Sequence, residues 1–235
     1  MGKAWIGGKP AALERALAEA ARLLAASRCP LISGLGTDIA GARAAILLAE
    51  RTGGIIDHMH SDALLRDLTV LREAGMMLTT PNEARRRADT LLLVGPSLER
   101  EAPELNRWLG LGAEGRGDSG GRAVVRLCPG RASAALAGQT VLGRDADQLP
   151  TLLAALRARL AGRPVGKTAV PAEAIESVAP LLKAARFGVA VWTAADLDAL
   201  AIEMLCGIVA DLNAQTRFSG IALAPGDDAI GVLQA

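Results

Sequence analysis

Both histidines of the chain, His58 and His60, stand in one short stretch, "IIDHMHSDALLRD" at residues 55–67, with Asp57, Asp62 and Asp67 around them. Imidazole nitrogens and carboxylate oxygens are the donors that hold zinc and non-haem iron. On a strand, residues two apart point to the same side. The H-x-H spacing would then offer two imidazoles to one cation, with Asp57 or Asp62 as third ligand. On a helix the same spacing separates them. A further donor would have to be a distant carboxylate or one of Cys29, Cys128 and Cys206. The alternative is a pair of polar residues lining a cleft or a contact with another chain.

Two glycine-bearing stretches raise phosphate chemistry. "GLGTDIAG", residues 34–41, runs from a strand into a helix, and Asp57 lies where a dinucleotide fold keeps its ribose-binding carboxylate. The third glycine of G-x-G-x-x-G would fall at Ile39, however, and Gly41 comes two positions late. A tight strand-to-helix turn at the carboxyl edge of a parallel sheet explains Gly34 and Gly36 equally well. "AGRPVGKT", Ala161–Thr168, fits a loose phosphate-loop pattern. A helix precedes it and Pro164 removes an N–H from the cradle, which makes it an interhelix connection. There is no G-x-S-x-G, no C-x-x-C, and no cysteine beside a histidine. Asp227-Asp228 reads as a turn, and "NEARRRAD" as a solvated helix face.

Periodicity gives the elements that would position these residues. Amphipathic helices are predicted over 11–26 and "IAGARAAILLAERTG", and over 62–74 with Leu64, Leu65, Leu68 and Leu71 inward. A short helix starts at Thr80 as N-cap, with Pro81 in its first turn and Glu83 at the capping-box position. Further helices are expected over 99–109, "ADQLPTLLAALRARLAG", 171–185 and 195–213, and a flexible loop over 113–122. Strands are expected at Leu31–Ser33, "GIIDHMH", "TLLLVG", "AVVRLC", "QTVLG", "GVAVWT" and "SGIALA". Such alternation predicts an α/β fold: an open, mostly parallel sheet with helices on both faces, Rossmann-like. The domain reading is a Rossmann-like lobe over 1–162, a linker over 163–171, and a second α/β segment over 172–235, packed on or continuing the first sheet.

With 26 Lys and Arg against 25 Asp and Glu, the net charge of +1 creates no field for nucleic acid or an anionic membrane. Aromatic residues make up 2% of the chain, too few for base-stacking platforms. No window approaches a membrane span, and three scattered cysteines fit reduced thiols in the cytoplasm.

Taken together, residues 28–108 resemble the B subunit of formylmethanofuran dehydrogenase, from a family of molybdenum- and tungsten-bis(pterin) oxidoreductases. The matching residues are the strand through Pro30–Gly34, Leu48-Ala49-Glu50, Gly54–Asp57, Leu71–Gly75, Arg87-Ala88-Asp89 and the strand ending in Gly95. Later stretches, around Ala135–Thr140, at 172–188 and at 209–217, agree as well. The resemblance covers nearly all of the chain and implies the Rossmann-like central domains of those enzymes.

The departures from the family pattern lie at its chemistry. That family carries its metal-ligating cysteine or selenocysteine in an S-V-C-H-G-P-S loop after the IID strand. By this alignment Ser61 matches the serine, Ala63 stands at the ligand position, and Leu64, Leu65 and Arg66 replace His, Gly and Pro. Cys128-Pro129-Gly130 stands in place of a D-P-R motif. The chain begins past the family's cysteine-rich iron–sulfur segment and ends before its second half, so neither cluster nor complete pterin cradle is expected. This combination is similar to the cofactor-free B subunits of bacterial formyltransferase/hydrolase complexes, which serve tetrahydromethanopterin-linked oxidation of formaldehyde to formate. The resemblance implies a scaffold that binds the other subunits of such a complex. No cofactor, metal or catalytic residue is expected, and a vestigial cleft is expected at Gly34, Gly36, Asp57, His58, His60 and Gly95. Self-association of the isolated chain is compatible with it. The alternatives are an active tungsten- or molybdenum-dependent formylmethanofuran dehydrogenase component, and a nucleotide- or small-molecule-binding module.

Overall fold

"TLLLV" forms β5, Thr90–Val94, and every one of its residues is buried. A strand apolar on both faces has to be covered on both faces, which is the condition of the middle of a parallel sheet. In the computed structural model, which describes residues 4–111, 122–130, 138–224 and 226, β5 is that central strand. It pairs in parallel with β6, Ala123–Leu127, and with β8, Gly188–Thr193. Outside these lie β7, Thr140–Leu142, and β9, Phe218–Leu223, giving the order β7-β6-β5-β8-β9.

Alternation along the strands sorts the side chains into two cores. Leu92, Val94, Val125, Leu127, Ala190 and Trp192 face helices α7 (Leu149–Leu160), α8 (Ala172–Lys183) and α9 (Ala199–Asn213). Leu91, Leu93, Val124, Val189 and Val191 face the shorter α4 (Pro81–Arg87), α5 (Leu98–Glu101) and α6 (Leu105–Leu109). The fold is therefore α/β with helices on both faces of a parallel sheet.

The described residues divide into two compact units, one within residues 4–61 and the other within 62–226. The five-stranded sheet belongs wholly to the second. Residues 163–171, expected as a linker between lobes, connect α7 to α8 inside that unit, and β8 and β9 continue the sheet begun by β5 and β6.

In the first unit, β3 (Leu31–Gly34) and β4 (Ile55–His58) form a separate two-stranded parallel sheet, joined through α2 (Ile39–Thr52). A hairpin that the hydrophobic pattern did not announce, β1 (Ala4–Ile6) with β2 (Lys9–Ala11), precedes α1 (Leu13–Ala26). Gly7 and Gly8 turn it at φ values of 57° and 77°, which suits a type I′ turn that glycine adopts without strain.

Local chemistry explains where boundaries differ from the periodicity. Pro103 divides the helix expected over 99–109 into α5 and α6. The last helix starts at Ala199 rather than 195, because Asp198 caps it by accepting the Ala201 N–H at 2.7 Å. Thr80 caps α4 as expected, but the Glu83 carboxylate accepts the Thr79 hydroxyl at 2.6 Å. Of the leucines expected inward on α3 (Ser61–Glu73), Leu64 is buried, whereas Leu65 and Leu71 are exposed. The loop expected over 113–122, all but Arg122, and Asp227-Asp228 lie outside the described residues.

Candidate functional site

Ligands of open parallel sheets sit at the carboxyl ends of the strands, where the strand order switches direction. Each unit has such an edge, and the candidate residues are shared between them.

In the first unit, Gly34 and His58 are register partners at the ends of β3 and β4, with Ser33 opposite Asp57. Gly34 has φ 92° and Leu35 has φ 56°, so the chain turns sharply here before entering α2. The α2 N-terminus is the place a dinucleotide phosphate would take. It holds Asp38 instead, whose carboxylate accepts the Gly41 N–H at 2.7 Å. A fixed negative charge there opposes a second anion. Gly41, the late glycine of the stretch, has Thr37 over it: a Cβ would lie 2.0 Å from Thr37 Oγ1.

β4 ends at His58, and His60 follows in the turn before α3. The two rings lie 5.6 Å apart, tilted by 60°. His58 Nδ1 accepts the His60 backbone N–H at 3.1 Å, which leaves Nε2 as the nitrogen for any further partner. The Asp57 carboxylate accepts the Ser61 hydroxyl at 2.9 Å, a local bond that pins the start of α3. Among the described residues, no group of three or more His, Cys, Asp or Glu side chains is placed to hold a metal ion.

In the second unit, the switch point lies between the ends of β5 and β8. Gly95 follows β5 at φ 99°, and a Cβ there would lie 2.4 Å from Asp196 Oδ2. That carboxylate accepts the Ser97 N–H at 2.8 Å. Arg66 of α3 donates to the carbonyls of Ala194 and Leu197 at 2.7 and 3.1 Å and pairs with Asp62. One residue on, Asp67 accepts the Trp192 indole N–H at 2.9 Å. Burial pushes the Asp67 carboxyl up to about 6, against the opposing effects of Trp192 and Arg66. Ala63, half-buried, packs against the larger core at the start of the same helix.

Side chains from three elements thus converge on this edge, and each is already engaged with the chain itself. The sequence motifs had singled out Gly95 and Ala63 here, but not Arg66, Asp67 or Asp196 as a set. Their partners are 99 to 131 residues away, beyond any local spacing rule.

Cys128, which closes β6 at φ 49°, has its thiol raised to about 11 by burial, with Asp145 and Asp147 adding to the effect. It is a buried member of the larger core. The Ala161–Thr168 stretch has no strand before it, and Thr168 bonds the Val170 carbonyl.

No protein-family model matches the chain. It is 34% identical over 224 residues to the B subunit of the formyltransferase/hydrolase complex Fhc of Methylorubrum extorquens, a match that covers 94% of this chain. The chain is a relative of that Fhc B subunit. It also superposes with a TM-score of 0.80 and 33% identity, over 98% of its length, on a chain of a crystal structure from the same organism. That structure is of the formyltransferase/hydrolase complex, FhcABCD, in complex with methylofuran. The chain spans 59% of the length of the Fhc B subunit and 63% of the crystallographic chain. Among the described residues, no helix is long and apolar enough to cross a membrane.

Proposed function

We propose that this chain is a non-catalytic scaffold component of a formyltransferase/hydrolase complex, acting in the cytoplasm in tetrahydromethanopterin-linked oxidation of formaldehyde to formate. The observation that carries the proposal is its relationship to the Fhc B subunit over nearly its whole length. Two features of the site support the non-catalytic part. Ala63 stands where the molybdenum- and tungsten-dependent relatives would bring a sulfur or selenium ligand, and its methyl group has no lone pair to donate. Carboxylates of Asp38 and Asp196 already engage the N–H groups near which an anionic cofactor would dock. Neither feature favours a bis-pterin metal group at these residues. The role left to the chain is to bind and position the subunits that carry the chemistry.

Affinity purification of the tagged chain from its native host, followed by metal analysis, tests the proposal. The expected result is co-elution with formyltransferase-like and amidohydrolase-like chains, and no tungsten or molybdenum stoichiometric with this one. Elution without such partners would overturn the assignment to a complex. Stoichiometric tungsten or molybdenum on this chain would overturn the non-catalytic role.

A further inference from the structure

The parallel register lines up the first residues of four strands: Ala123 of β6, Thr90 of β5, Gly188 of β8 and Phe218 of β9. One residue earlier the same row reads Arg122, Asp89, Phe187 and Arg217, with Arg186 beside Phe187. α4, which leads into β5, adds Arg85, Arg86 and Arg87. This is the amino-terminal edge of the sheet, opposite the switch point. Among the described residues on α4 and the approaches to these strands, six arginines stand against two carboxylates, Glu83 and Asp89. The net charge of +1 for the whole chain conceals that separation.

Both carboxylates are already engaged. Asp89 accepts the backbone N–H groups of Arg186 and Phe187 at 3.0 and 3.3 Å and pairs with the Arg186 side chain. Glu83 accepts the Thr79 hydroxyl and pairs with Arg87, each at 2.6 Å. Among the described residues, Arg85, Arg86, Arg122 and Arg217 have no carboxylate in ion-pair contact. Arg122 donates to the carbonyls of Leu109 and Arg85 at 2.6 and 3.0 Å, which fixes the guanidinium without neutralising it. Arg85 converges on the same spot: a Cβ placed on Gly110 would lie 3.7 Å from Arg85 Nε and 3.9 Å from Arg122 Nη1. Like charges this close repel, and an anion between them relieves the repulsion.

We propose that this edge is a docking surface for an acidic segment of another polypeptide, whose carboxylates pair with Arg85, Arg86, Arg122 and Arg217. Adjacent strands lie about 4.8 Å apart, so the row from Arg122 to Arg217 spans about 14 Å, the reach of about four or five extended residues. None of these cations is a lysine, and guanidinium forks match carboxylates in paired N–H···O bonds. Glu83 and Asp89 interrupt the row, which suits separate side-chain carboxylates better than a continuous phosphate backbone. The aromatic ring of this edge, Phe187, has Arg87 over it at 4.9 Å and offers no platform for a base. The surface does not depend on the assignment to a formyltransferase/hydrolase complex.

The test titrates the full chain into a fluorescein-labelled peptide of alternating Glu and Ser, read by anisotropy. The same peptide with Lys for Glu, and an oligothymidylate of equal charge, serve as comparisons. The expected result is saturable binding of the acidic peptide alone, weakened by about tenfold or more when salt rises from about 50 to about 300 mM. Arg85→Ala/Arg217→Ala should weaken it by about tenfold. Arg100→Ala/Arg144→Ala, an equal loss of charge beyond the carboxyl ends of β5 and β7, should leave it unchanged. An unaltered thermal midpoint separates a lost surface from a lost fold. Arg86→Ala, exposed on α4 and without a side-chain partner among the described residues, gives the same reading by a single change. Absence of binding, equal losses in the two double variants, or tighter binding of the oligothymidylate would each overturn the proposal.

Discussion

The Asp196 carboxylate accepts the backbone N–H of Ser97 at 2.8 Å, across 99 residues of sequence, and lies directly against Gly95. It bridges the loops after β5 and β8, the place where an open α/β sheet ordinarily receives a ligand. A hydrogen bond within the chain thus spans its own switch point.

Removing that bond should be costly. Asp196→Ala leaves the Ser97 N–H without its acceptor and should destabilise the chain by about 1–3 kcal/mol in urea denaturation. Gly95→Ala should be at least as damaging, since the new methyl group meets the carboxylate and the backbone sits at φ 99°. A wild-type midpoint for both variants would show that the bridge contributes nothing.

Asp67 makes stability depend on pH in a direction opposite to most carboxylates. Its folded value of about 6 lies above the ordinary 3.8, so the folded chain holds the proton more tightly than the unfolded chain. The resulting stabilisation is complete below about pH 4 and is lost as pH rises through 6, by about 3 kcal/mol at most. Asp67→Asn keeps an acceptor for the Trp192 indole and cannot ionise. Between pH 4 and 8 the wild type should therefore lose stability relative to this variant; parallel pH profiles would refute the assignment.

Arg126, nearly fully buried on β6, pairs with Glu99 at the start of α5. The guanidinium is almost wholly buried, so loss of this charge-assisted hydrogen bond should be felt: Arg126→Met and Glu99→Leu should each destabilise the chain by about 1–3 kcal/mol. The double variant should recover much of that loss. Additive single effects in a thermal-denaturation cycle would mean that the two residues do not act as a pair.

The three cysteines should react unequally. Cys29 is exposed, whereas Cys128 and Cys206 have thiols raised to about 11 by burial and neighbouring carboxylates. A disulfide reagent at pH 8 should modify one thiol quickly in the folded chain and three after unfolding. Rapid labelling of Cys128 would contradict its place in the core.

By itself the sequence determined the alternation of strands and helices, the strands at Thr90–Val94 and Gly188–Thr193, the cap at Thr80, and the resemblance carried by Gly54–Asp57 and Arg87-Ala88-Asp89. These are local properties, fixed by side-chain period, turn chemistry and helix ends within a few residues. The first hairpin was legible only in its Gly7-Gly8 turn, because strands of three residues are too short to show a period.

Only the tertiary structure decided that the strands divide between separate sheets, that the 163–171 stretch lies inside one unit, and that Arg66, Asp67 and Asp196 meet at the β5–β8 edge. It also decided which apolar residues are core. Leu13, Leu31 and Ile55 have the same composition and period as residues that are buried in the second unit, yet they lie open. Periodicity identifies a face that favours cover; whether anything covers it depends on contacts between residues far apart in the chain.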